Sequence, residues 1–140
     1  MIEAWQAALA AEHAAVYGYG IVGPRVPAAE RALARQCEEA HRTLRDQTSA
    51  ALSAAGHSPV APQPGYPLPF PVDDTAGARR LALDLETEAA AAWRYLIAVS
   101  EPGSPVRRMA TQALMDTALR AMRWRHLITP ARATVPFPGM

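Results

Sequence analysis

Apolar side chains recur at three- and four-residue spacing through most of this chain, which is the period of an amphipathic helix and not of a strand. Trp5, Leu9, Val16 and Tyr19 fall on one face of a first segment, and Leu33, Cys37, Leu44 and Leu52 on one face of a second. Leu81, Leu85, Ala92, Tyr95 and Val99 trace a stripe in a third, and Met109, Ala113, Thr117, Ala121, Trp124 and Ile128 in a fourth. Proline and glycine separate them at Gly23 to Pro27, Gly56 to Pro71 and Pro102 to Pro105, residues that end helices and open turns. The pattern predicts helices over about 2–22, 28–55, 74–99 and 105–128, then an irregular tail, 129–140, carrying Pro130, Pro136 and Pro138.

The connections set the topology. Two are about five residues long and can only join antiparallel neighbours. The third, the Pro-rich tract 56–73, is of another kind. A helix of ~25 residues is ~38 Å long at 1.5 Å per residue, while ~20 extended residues reach ~65 Å. The tract is therefore expected to run the length of the bundle, joining helix two to helix three as a crossover. The expected fold is all-α, an antiparallel four-helix bundle of two hairpins linked by one long crossover. On this phase Trp5 and Trp124 should be buried.

At 140 residues the chain is the size of one domain, 1–140, with one core. Half of it is hydrophobic, but much of that half is alanine, which favours helix and lets helices approach closely. The formal net charge is +1 and the arginines are dispersed, so no nucleic-acid partner is expected. No run of about 18 apolar residues and no basic start followed by an apolar run occurs, so neither a membrane partner nor export is expected. The single Cys37 suits a reducing cytoplasm as a small core hydrophobe. A homodimer is admitted; no partner protein is indicated.

Candidate chemistry lies on the inward stripes. Glu12 sits among Trp5, Leu9, Val16 and Tyr19, and Glu88 among Leu81, Leu85, Ala92 and Tyr95, within matching Leu-x-x-Glu frames. Both are expected to face the core, near each other at its centre. A carboxylate there must be neutralised, paired with a cation or bound to a metal. On helix two, Glu38-x-x-His41 puts a carboxylate and an imidazole on adjoining positions of one surface. His13 flanks Glu12 and His57 lies in a loop.

Glu12, Glu38 with His41, and Glu88 resemble three of the four helix contributions to a ferritin-like di-iron carboxylate site. With Ala11-Glu12-His13-Ala14-Ala15-Val16-Tyr17-Gly18-Tyr19-Gly20 near the start and Arg123-Trp124-Arg125 near the end, residues 2–128 look like an actinobacterial ferritin-like family of unknown function. The resemblance implies a ferritin-like bundle. Its fourth ligand set is incomplete: helix four offers Asp116-x-x-Leu119 where a second Glu-x-x-His would stand. Two functional readings follow. The first is a binding or structural module with a degenerate di-metal site and no cofactor. There the glutamates join a core network with His41, Arg45, Arg120 or Tyr19, and Glu38 pairs on a solvated face with Arg42 or Arg45. The alternative is an oxidoreductase or metal-handling protein holding iron or manganese on Glu12, Glu38, His41, Glu88 and Asp116, a hard, oxygen-rich donor set.

Overall fold

A computed structural model describes residues 1–140. Its long helices are α1 (Ile2–Val22), α2 (Ala28–Ala54), α3 (Thr75–Val99) and α4 (Pro105–Ile128), each within a residue of the expected span. Local chemistry starts the second pair: Asp74 caps α3 by accepting from the Gly77 amide, and Ser104 caps α4 by accepting from Arg107, with Pro105 in the first turn. No strand forms, and no helix is long and apolar enough to cross a membrane.

Two buried clusters show the helix directions. At one end Trp5 and Leu9 of α1 meet Leu52 of α2, Trp93 and Leu96 of α3, and Ala110 of α4. At the other, Tyr19 and Val22 meet Ala34 and Cys37, Leu81, and Trp124. So α1 and α4 run one way, α2 and α3 the other. The crossover spans the bundle as its length requires, lying along α1: Gln6 donates to Ser58 and accepts from the Val60 amide, the His13 ring bonds the Val60 carbonyl, and Tyr17 stacks obliquely on Tyr66. Val72 then enters the core beside α3.

Trp5 and Trp124 are buried as expected, at 4% and 0% exposure. The phase of α3 is not as expected. Its inward residues are Ala78, Leu81, Ala82, Glu86, Ala89, Ala90, Trp93 and Leu96, whereas Glu88 and Tyr95 are exposed. The alanine run 89–92 carries no phase of its own, and Trp93 buries more area than Tyr95, so the helix turns to bury Trp93. Small residues then let helices close in: a Cβ on Gly18 would fall 2.4 Å from a Leu85 methyl across the α1–α3 seam.

The crossover's seat yields a test. Gln6→Ala removes both amide contacts to Ser58 and Val60; stability should fall by about 1 kcal/mol or less, as suits exposed hydrogen bonds, while hydrogen exchange at the Val60 amide accelerates. An unchanged Val60 rate would mean the tract is held elsewhere.

Candidate buried charge centre

Each helix contributes one charged residue to the middle of the bundle: Glu12 from α1, His41 from α2, Glu86 from α3 and Arg120 from α4. Glu12, His41 and Glu86 are fully buried. His41 lies between the carboxylates, Nδ1 2.5 Å from Glu12 Oε2 and Nε2 3.0 Å from Glu86 Oε1. Arg120 Nε donates to Glu86 at 3.2 Å and an Nη2 proton to Thr117 Oγ1 at 3.1 Å. Formally, two carboxylates face an imidazolium and a guanidinium.

Aromatic donors complete the shell by crossing over. Trp93 Nε1 donates to Glu12 Oε1 at 2.7 Å, and Tyr19 Oη donates to Glu86 Oε1 at 2.6 Å. Tyr19 follows Glu12 by seven residues and Trp93 follows Glu86 by seven. Two helical turns climb ~10 Å, and α1 and α3 are antiparallel, so each aromatic reaches the level of the other helix's glutamate. Trp124 Nε1 donates to Tyr19 Oη at 2.9 Å, and the Tyr19 and His41 rings stack at 5.7 Å.

Burial opposes charge on His41, but Glu86, the hydrogen bonds and Glu12 outweigh it and lift the imidazole pKa to about 9. Burial likewise works against the Glu86 carboxylate, yet His41, Arg120 and Tyr19 hold it below the usual carboxylate range. Desolvation, then the Glu86 charge, push the Tyr19 phenol well up and raise the Cys37 thiol; both keep their protons.

The family model described as "Domain of unknown function (DUF4439)" matches residues 4–140. The chain belongs to the DUF4439 family. It is similar to the crystal structure of a conserved hypothetical protein, rv2844, from Mycobacterium tuberculosis. Identity is 38%, over 89% of this chain and 94% of that one, with a TM-score of 0.86. No curated protein matches.

Of the five sequence candidates, the DUF4439 bundle brings together Glu12 and His41. Glu88 was expected beside Glu12; it is on the solvent side, and Glu86, two residues earlier, takes the inward place. Glu38 is half-buried and pairs with Arg42 at 3.2 Å, and Asp116 is exposed and bonded to Gln112. Sequence reasoning missed Glu86 and Trp93; the alternative α3 stripe Ala82, Glu86, Ala89, Trp93 and Leu96 was the signal that finds them.

This donor set does not fit a di-metal cage. A metal-ligating imidazole offers a ring lone pair, but both nitrogens of His41 face carboxylate oxygens. Both Glu12 oxygens and both Glu86 oxygens already accept hydrogen bonds. Arg120 brings a fixed cation from the helix that should supply the fourth ligand set, and no three His, Cys, Asp or Glu side chains are arranged to hold an ion.

Two outcomes follow. Trp5 Nε1 is the one buried side-chain polar atom without a partner, so Trp5→Phe deletes an orphan donor while opening a small gap and should change stability by under about 1.5 kcal/mol. Trp93→Phe opens a similar gap but strips Glu12 of a donor, and should cost about 3 kcal/mol or more in chemical denaturation. Equal costs would contradict the assigned bonds.

The second concerns pH. His41 keeps its proton up to about pH 9 when folded and to 6.5 when unfolded, so its contribution is complete below 6.5 and is lost as pH rises through 9. Glu86, shifted down from 4.5, contributes above that value and loses its contribution on acidification. The parent should lose roughly 3 kcal/mol between pH 6.5 and 9. His41→Gln should show no such decline; matching slopes for the two proteins would rule the assignment out.

Proposed function

We propose that this DUF4439 chain is a ferritin-like binding module, not an enzyme, in which the Glu12–His41–Glu86–Arg120 centre is an internal clasp at the place of a degenerate di-metal site. The single observation carrying the reading is the saturation of that centre: every carboxylate oxygen and both imidazole nitrogens are taken by partners inside the bundle. A metal ligand or general base at this centre would draw on the imidazole lone pair, and both ring nitrogens of His41 are engaged with carboxylates. What remains for recognition is the outside. The seams α1–α2, α1–α3 and α3–α4 are packed, whereas α2 and α4 face each other across a polar groove of about 830 Å³ with Arg35, Glu39 and Asp116 on its walls. A second, apolar cavity lies under the tail. No nucleic-acid or membrane partner is part of this reading, and a cytoplasmic setting suits the buried free thiol of Cys37.

A second reading, an oxidoreductase or an iron- or manganese-handling protein, draws on the convergence of two carboxylates and an imidazole from three helices. It requires His41 to surrender a proton and Arg120 to withdraw. Elemental analysis of untagged protein from cells supplied with iron and manganese separates the two. The clasp is expected to carry well under one ion per chain; about two ions per chain, lost in Glu12→Gln/Glu86→Gln, would overturn it.

A further inference from the structure

The C-terminal tail does not trail into solvent. It folds back over α3 and α4 and is fixed at two points. Arg125 Nη1 donates to the Ala133 carbonyl at 3.0 Å. Gly139, at φ +81°, lies so close to α3 that a Cβ there would stand 2.7 Å from the Ala90 carbonyl oxygen; only glycine accepts both that backbone angle and that approach.

Strapped this way, the tail forms one wall of a half-open cleft of about 580 Å³ beside α4, within the range of small-ligand sites, ~300–1,000 Å³. Its walls are mostly apolar: Leu114, Met115, Leu119 and Met122 from α4, Val135 and Phe137 from the tail. Methionines adapt to irregular apolar shapes. The same residues leave large hydrophobic area facing water, with Met115 56%, Leu119 57% and Phe137 69% exposed, a concentration that marks recognition surfaces. One charged side chain lines the cavity, Arg125. It is in no ion pair, and its Nε and Nη2 protons are unused.

We propose that this cavity is a binding site for a small amphiphilic carboxylate, an apolar chain laid along α4 with its anionic end on Arg125. The proposal rests on the reading of the chain as a binding module and names its ligand class. An apolar cleft with a single guanidinium selects a ligand with one anionic end, because a planar carboxylate matches its N–H fork, while a cationic amphiphile of equal length would gain the apolar contacts and meet repulsion at the head.

The test uses the full chain and isothermal titration calorimetry with two probes below their micellar concentrations, sodium decanoate and decyltrimethylammonium. Decanoate is expected to bind one per chain, at least tenfold tighter than the cation. Arg125→Gln should weaken decanoate about tenfold, the order of a charged hydrogen-bonded contact, and leave the cation unchanged or improved. Arg125→Lys, which keeps the charge, should retain most of the affinity, separating a head-group contact from mere loosening of the tail. Ala118→Phe fills the cavity and should abolish binding of both probes. Equal affinity for the two heads, indifference to Arg125→Gln, or decanoate binding that survives Ala118→Phe would each overturn the site. Metal content of the same sample reports on the clasp alone, so failure of one reading is told from failure of the other.

Discussion

Glu12 and Glu86 stand without solvent in an alanine-rich core, where an unpaired carboxylate is very costly. Their neutralisation constrains every other helix. His41 must lie between them, which fixes the height of α2; Arg120 must reach Glu86, which fixes α4. With one formal charge per helix and a sum of zero, sliding a single helix by one turn would leave a buried charge unpaired, at several kcal/mol. Leucine contacts alone tolerate such slips far better. The centre thus sets register more than it adds stability, since a well-packed apolar quartet could match it energetically.

The alanines are part of the same arrangement. Ala8 and Ala15 flank Glu12 on the inward stripe of α1, and Ala82 and Ala89 flank Glu86 on α3, all fully buried. Small neighbours bring α1 and α3 close enough for a glutamate to meet the opposite helix's aromatic, and the antiparallel run makes the exchange reciprocal. Tyr19 and Trp93 therefore act as donors that desolvate the carboxylates while satisfying them. Trp5, one heptad before Glu12 with no carboxylate opposite it, has an unmatched N–H, which shows that these donor positions are specific to the centre.

Helix spans, the role of the Pro-rich tract and the inward faces of α1, α2 and α4 were legible because leucine, valine and tryptophan fix phase and proline fixes boundaries. Glu12 and His41 were legible for the same reason. On α3 the signal divided: Glu86 and Glu88 each began a plausible stripe, and the intervening alanines could not arbitrate. The Leu-x-x-Glu frame shared with α1 favoured Glu88, but the relation that counts is Glu to aromatic at seven residues, visible only once antiparallel heights are known. Arg120 was nameable as a partner, not assignable, since its reach to Glu86 depends on tertiary placement.

A saturated centre moves the variable chemistry outward, and α4 carries the connection. Trp124 points into the core and holds Tyr19, while its neighbour Arg125 points toward the tail and holds Ala133. Successive helical residues lie ~100° apart, so the heading that seats Trp124 also aims Arg125; α4 cannot roll without loosening both. Arg120, which donates to both Glu86 and Thr117, locks the same helix one turn earlier. Side chains on the outer ridge of α4, Met115, Leu119 and Met122, are thereby presented from a backbone whose orientation is fixed from within. Recognition surfaces gain most from such preorganisation, because little conformational freedom is left to lose on binding.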